Sequence, residues 1–137
     1  MSDATVGAVT VEMVRRAMSS REESITSGTV RPVTESEVIG EIGRRLASVA
    51  PPGSRIVLFG SRARGQPGDG SDYDVLVIEP RPENAARESV RFRAELDALS
   101  VPVDVVVVDE AVATRRARVA GTMVERALRE GRELART

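Results

Sequence analysis

Apolar positions after residue 34 recur at intervals of three and four and would form one face of a helix: Val38, Ile39, Ile42, Leu46 and Val49. The segment just before them, Thr34-Glu35-Ser36-Glu37, has the form of a capping box, in which a hydroxyl residue is followed three positions later by Glu. Proline cannot continue a helix, because it lacks the backbone N–H and clashes with the preceding turn. The pattern therefore predicts a helix that begins after Thr34 and ends before Pro51-Pro52-Gly53.

Three short apolar runs are typical of buried strands, because they are rich in β-branched residues and bounded by turn residues: Arg55–Phe59, Tyr73–Ile78 and Val103–Val108. Helical patterns cover residues 83–99 and 110–130, and Gly121 is a candidate break in the second. Gly131 is predicted to follow the last helix with a positive φ, and Arg132–Ala135 is a candidate edge strand. This alternation predicts an α/β domain with a central sheet of three or four strands.

The first 33 residues are less regular than the rest of the chain. A weak helical pattern at Val11, Val14 and Met18 is followed by a linker-like segment that ends near Pro32. We therefore predict two parts: residues 1–33 form an N-terminal arm with one short helix and a linker, and residues 34–137 form the domain.

Composition removes several kinds of chemistry from consideration. The 137 residues contain no Cys and no His, and all 20 basic residues are arginines. Thiolate nucleophiles, Cys/His zinc sites, histidine bases and lysine-dependent mechanisms are therefore excluded. A net charge of −1 and only 2% aromatic residues argue against a nucleic-acid surface. The lack of any 18-residue apolar run argues against a membrane span, so a cytoplasmic location is expected.

Two aspartates at the start of the second strand form the first candidate site. In Ser71-Asp72-Tyr73-Asp74 the alternation of a strand would place Asp72 and Asp74 on one face and Tyr73 on the other. Their Cα atoms would lie roughly 6.5–7 Å apart. Two carboxylates at that spacing repel each other unless a cation lies between them, and oxygen ligands favour Mg²⁺ or Mn²⁺. A calcium loop over residues 69–74 is the alternative, but the EF-hand spacing is not met.

Asp104 is a third candidate ligand. It interrupts a valine-rich run that otherwise has the pattern of a fully buried strand, and a lone buried carboxylate would cost several kcal/mol. A metal ion shared with Asp72 and Asp74 would stabilise it. The alternative is that Asp104 lies at an exposed strand end or pairs with an arginine.

The segment Gly60-Ser61-Arg62-Ala63-Arg64-Gly65 directly follows the first strand and forms the second candidate site. Gly60 permits a sharp turn, and residues 61–65 form either a tight turn or a short helix capped by Ser61. Free amides there, together with Arg62 and Arg64, would bind an anion such as phosphate. The alternative is an ordinary β–turn–α corner with solvated arginines. Two metal ions held by the three aspartates beside such a cradle could promote in-line displacement at phosphorus.

The two linked motifs, with six residues from Gln66 to Ser71 between Gly65 and Asp72, resemble the signature of the DNA polymerase β-type nucleotidyltransferases. The most similar subgroup is the minimal nucleotidyltransferase (MNT) domain, and the resemblance covers about residues 36–135. It implies a mixed sheet flanked by helices and a triphosphate, most often ATP, held by Gly60 and Ser61. It also implies two Mg²⁺ ions bound by Asp72, Asp74 and Asp104. Arg62, Arg64 and Ser71 are the further candidate nucleotide-binding residues.

Minimal domains of this type are often antitoxins that neutralise a HEPN ribonuclease toxin by adding AMP to a tyrosine. The resemblance thus implies an adenylyltransferase that acts on a HEPN-type partner protein. Two alternatives stay open at this point. One is an antitoxin that blocks its partner by binding alone, and the other is a transferase for a small molecule such as an aminoglycoside.

Overall fold

The computed structural model of the chain describes residues 34–64 and 72–137. The predicted arm at residues 1–33 lies outside the described residues, and so does Ser71. Helices and strands follow one another in this order: α1 (Glu35–Val49), β1 (Arg55–Phe59), β2 (Tyr73–Glu79), α2 (Ala85–Leu96), a 3-10 turn (Asp97–Leu99), β3 (Val103–Asp109), α3 (Glu110–Arg116), α4 (Met123–Glu130) and β4 (Arg132–Arg136).

The strands form a mixed four-stranded sheet in the order β3-β2-β1-β4. β2 and β3 are parallel and are connected through α2, whereas β1 is antiparallel to both β2 and β4. The predicted α/β class and small mixed sheet are confirmed, and so is the edge strand after the last helix. β2 is central and its residues from Val75 to Glu79 are buried, whereas β3 lies at an edge. This order places the start of β2 beside the start of β3.

The two faces of the sheet are covered by different helices. On one face α1 and α2 pack against Tyr73, Val75 and Val77, and Phe92 and Leu96 of α2 are buried in this layer. On the other face α3 and α4 cover Leu76 and Ile78. Side chains of β2 thus alternate between two aliphatic layers, as a strand buried on both faces requires.

Helix α1 begins with the predicted capping box. The Thr34 hydroxyl accepts a hydrogen bond from the Glu37 amide at 3.1 Å, and the Thr34 amide donates to the Glu37 carboxylate at 3.0 Å. Four residues predicted from the periodicity are buried on its inner face: Val38, Ile39, Ile42 and Leu46. The helix ends before Pro51, as expected.

In the final helical region the predicted break at Gly121 is confirmed and the prediction for Gly131 is not. The region is broken between Arg116 and Met123, and Gly121 lies in that break with φ +89°. The positive φ predicted for Gly131 was wrong, since its φ is −82°. Gly131 is required there for space, because a Cβ at this position would clash with the Ala127 carbonyl oxygen and would lie 2.7 Å from the Leu58 carbonyl oxygen of β1. Among the described residues, no helix is long and apolar enough to cross a membrane.

Candidate active site

The turn after β1 forms one wall of the site. Gly60 has φ +80°, a conformation that favours glycine, and turns the chain sharply away from the strand. The amides of Ala63 and Arg64 both donate to the Gly60 carbonyl, at 3.1 and 3.2 Å. Residues 61–64 therefore form a tight turn, which was one of the two predicted forms, and the amides of Ala63 and Arg64 are already used within it.

Asp74 lies directly against this turn. It is the strand partner of Phe59, and a Cβ added to Gly60 would lie 2.5 Å from its Oδ2 atom. A larger residue at position 60 would therefore displace the Asp74 carboxylate. Gly60 thus has two roles, since it allows the turn and leaves space for Asp74.

The three predicted aspartates lie in one corner of the domain. Asp74 pairs with Asp104 in the parallel β2–β3 register, and Asp72 immediately precedes β2. Burial raises the pKa of the Asp74 carboxyl, and the negative charges of Asp104 and Asp72 raise it further. Asp74 is thus close enough to Asp72 and Asp104 for their charges to act on its carboxyl. Tyr73 is buried on the opposite face, as the alternation predicts.

The prediction that Asp104 is a buried charge was wrong. Its side chain is 60% exposed, because β3 is an edge strand and position 104 lies near its start. Arg93 of α2 reaches the same edge and places its Nη2 atom 3.6 Å from Asp104 Oδ1. The environment of Asp104 is therefore the exposed, arginine-paired alternative, yet the residue still lies beside Asp74.

The two arginines of the glycine segment point in different directions. Arg62 donates to Glu35 at 2.8 Å and lies over the Tyr73 ring, with 4.3 Å between its Cζ atom and the ring centroid. The structure thus places Arg62 on the α1 face of the sheet, away from the predicted phosphate cradle. Arg64 instead faces the cavity beside Asp74.

A cavity of about 510 Å³ opens between the turn and helix α4. Its walls include Gly60, Ser61, Arg64 and Asp74, together with Arg126 and Glu130 of α4. The volume lies within the range typical of small-molecule sites. Our sequence interpretation missed the two α4 residues. Their spacing of four shows that they share a helix face, but no pattern in the sequence shows that this face borders the site.

Within the described ranges, no three acidic side chains are arranged as a ready-made metal centre. The donor set of Asp72, Asp74 and Asp104 nevertheless fits a hard divalent cation in its chemistry. The ligands are all carboxylates, and a cation among them would relieve the repulsion that raises the pKa of Asp74. These residues remain predicted metal ligands.

A family model described as "Nucleotidyltransferase domain" matches residues 39–131, which is more than half of the chain. The chain belongs to the nucleotidyltransferase domain family. The match spans the glycine turn and all three aspartates, and it confirms the superfamily resemblance that the sequence motifs indicate. Membership supports an enzymatic role in general and does not identify the acceptor.

Two solved structures resemble this nucleotidyltransferase domain distantly. One is a crystal structure of a toxin–antitoxin with AMP-PNP, at 23% identity and a TM-score of 0.49, covering 72% of this chain and 73% of that one. The other is a Sulfolobus solfataricus protein proposed to be a nucleotidyltransferase, at 23% identity and a TM-score of 0.44, covering 82% of this chain and 85% of that one. At these values neither similarity bears on substrate or partner. No curated protein matches the chain.

Proposed function

We propose that this chain transfers AMP from ATP to a hydroxyl group of a partner protein, with two Mg²⁺ ions held by Asp72, Asp74 and Asp104. The observation that best supports it is the pairing of Asp74 with Asp104 in adjacent strands, directly against the Gly60 turn. Family membership supports nucleotidyl transfer in general. Support for ATP and for a protein acceptor comes from the resemblance of the motifs to the minimal subgroup.

Each residue of the corner has a role in this proposal. Asp72 and Asp74 would hold the ion that binds the triphosphate, and Asp104 would complete the second ion site. When bound, the metal ions neutralise charge on the phosphates and lower the pKa of the attacking hydroxyl. Ser61 and Arg64 of the turn line the same cavity and hold phosphate oxygens.

The reaction is a displacement at the α-phosphorus of ATP. The acceptor oxygen forms a bond to that phosphorus, and the bond to the oxygen that bridges to the β-phosphorus breaks. Pyrophosphate leaves with the electron pair of the broken bond. The hydroxyl proton passes to the carboxylate of Asp104, which is 60% exposed at the sheet edge, where a large acceptor can approach.

We further propose that the acceptor is a tyrosine of a HEPN-type toxin, and that this chain is its antitoxin in the cytoplasm. This step rests on the resemblance of the Gly60–Gly65 and Asp72–Asp74 motifs to minimal domains of such pairs. The open edge at β3 is compatible with a protein acceptor, since the Asp104 side chain is accessible there.

The test is an intact-mass measurement on the purified protein mixed with Mg²⁺, ATP and the product of the neighbouring gene. The proposal predicts that the neighbour gains one or more AMP units. Asp72→Asn/Asp74→Asn should abolish the gain, and Asp97→Asn, an exposed aspartate at the end of α2, is the matched control. A stable complex without a mass change would instead support a binding antitoxin, and the absence of both would redirect the search to small-molecule acceptors.

A further inference from the structure

The cavity beside Asp74 is lined by arginines on two sides, Arg64 in the glycine turn and Arg126 in helix α4. Arg126 lies on α4, across the cavity from Gly60 and Ser61, and is exposed to solvent. Helix α4 is anchored by Val124 and Ala127, which are both buried against the sheet. Arg126 therefore extends from a rigid element, on the side opposite to the turn.

The acidic residues near Arg126 are already bound by other arginines. Glu130, one helical turn further on, interacts with Arg64 at 3.4 Å and with Arg129 at 3.1 Å. Glu125 accepts a hydrogen bond from Arg129 at 2.7 Å. Within residues 34–64 and 72–137, Arg126 itself forms no ion pair within 4.0 Å. Its charge acts only at longer range, where it adds to the lowering of the Glu125 pKa that comes chiefly from the hydrogen bond with Arg129.

The opposite wall offers donors to an anion. The hydroxyl of Ser61 lines the cavity, and the Ser61 amide has no hydrogen-bond acceptor among the described residues. Arg64 can move from Glu130 to an incoming anion, because that pair is long and its arginine is 45% exposed. An extended polyanion would thus be contacted from both walls, whereas a nucleoside alone would leave Arg126 without a partner.

We propose that Arg126 binds the phosphate groups beyond the α-phosphate of the donor nucleotide. This inference rests on the proposed function, because it takes the cavity to be the nucleotide site. An arginine is suited to this position, since its planar guanidinium can donate two hydrogen bonds to one phosphate and stays charged at every working pH. Arg126 thereby selects triphosphates over monophosphates and favours binding in the orientation that exposes the α-phosphorus.

The test compares two probes by isothermal titration calorimetry in Mg²⁺: α,β-methylene-ATP, whose α–β linkage cannot be cleaved by transfer, and AMP. Arg126→Gln should weaken binding of the triphosphate probe about 10- to 100-fold and change AMP binding less than about threefold. Arg126→Lys should recover part of the loss. The matched control is Arg115→Gln, which removes the same charge from an exposed position of the neighbouring helix α3.

The outcomes distinguish a failure of the Arg126 inference from a failure of the proposed nucleotide site. If the wild-type protein binds the triphosphate probe and Arg126→Gln binds it equally well, the inference on Arg126 is wrong and the proposed function stands. An equal loss for both probes would place Arg126 at the nucleoside or α-phosphate and overturn the inference as stated. If the wild-type protein binds neither probe, the nucleotide site and the inference both fail.

Discussion

Glu79 at the end of β2 provides a stability prediction that is independent of catalysis. It is buried, with 2% of its surface exposed, and its Oε2 atom has no hydrogen-bond partner in the described part of the chain. Burial and the neighbouring carboxylate of Glu88 raise the pKa of Glu79 to about 7 from an ordinary value of 4.5. Arg91 binds Glu88 through two hydrogen bonds, at 2.8 and 3.0 Å, and lowers the pKa of Glu88. Glu88 thus stays ionised, and Glu79 holds the shared proton.

The direction of the pH effect follows from proton binding in the two states. Between pH 4.5 and about 7 the folded state keeps a proton on Glu79 that the unfolded chain has lost. The free energy of unfolding therefore falls as pH rises through this window, and the loss is complete above it. The shift from 4.5 to about 7 sets an upper limit of about 3 kcal/mol. The lowered pKa of Glu88 has the opposite effect, but only below pH 4.5, so it does not change the loss in this window. Because the two carboxyls share one proton, we expect a loss of about 1–2 kcal/mol, below that limit.

The perturbation is Glu79→Gln, which places an uncharged N–H donor beside Glu88. At pH 5 the variant and the wild type should be about equally stable. At pH 8 the variant should be about 1–2 kcal/mol more stable, or about 4–8 °C higher in Tm for a chain of this size. Urea and thermal denaturation at pH 5, 6, 7 and 8 measure this difference, with Glu83→Gln in the exposed loop before α2 as the control. A stability difference that does not change with pH would refute the reasoning.

Four further substitutions test the roles of three glycines and one arginine. Gly60→Ala should lose about 1–2 kcal/mol in urea denaturation and weaken ATP binding, because φ is +80° and Asp74 is displaced; unchanged binding would contradict the packing. Gly131→Ala should destabilise the fold by about 1–3 kcal/mol through the clash with the Ala127 and Leu58 carbonyls, whereas Gly40→Ala, with open space in α1, should stabilise it by about 0.5–1 kcal/mol. Arg62→Gln should lower the free energy of unfolding by about 1 kcal/mol and leave ATP binding within about twofold; a large loss of binding would restore Arg62 to the nucleotide site.

Local sequence patterns predicted the helices and strands correctly, together with part of the candidate site. The capping box at Thr34, the proline stop and the three apolar runs all appear where they were predicted. Strand alternation correctly placed Tyr73 inward and Asp74 on the other face. These features depend on spacing along a single element, so they can be read without knowing how the elements pack.

Features that depend on packing between elements could not be predicted. Asp104 was expected to be buried, but the local pattern of apolar residues does not determine the order of strands in the sheet. In the structure β3 is an edge strand. The direction of the Arg62 side chain depends on the shape of a tight turn, for which no periodicity exists. A Cβ at position 131 would clash with the Ala127 carbonyl of the same helix and with the Leu58 carbonyl of a strand more than 70 residues earlier, and only the second contact depends on packing between elements. Arg126 was missed for the same reason, since only the tertiary fold brings α4 to the cavity.

Asp72, Asp74 and Asp104 are predicted to bind divalent ions together with a nucleoside triphosphate at the Gly60 turn. The most direct measurement is electron paramagnetic resonance of Mn²⁺, as a substitute for Mg²⁺, titrated into the protein with α,β-methylene-ATP. We expect two Mn²⁺ ions bound per chain in the ternary complex, and their loss in Asp72→Asn/Asp74→Asn but not in Asp97→Asn. Equal Mn²⁺ binding in the wild type and the double variant would contradict this prediction.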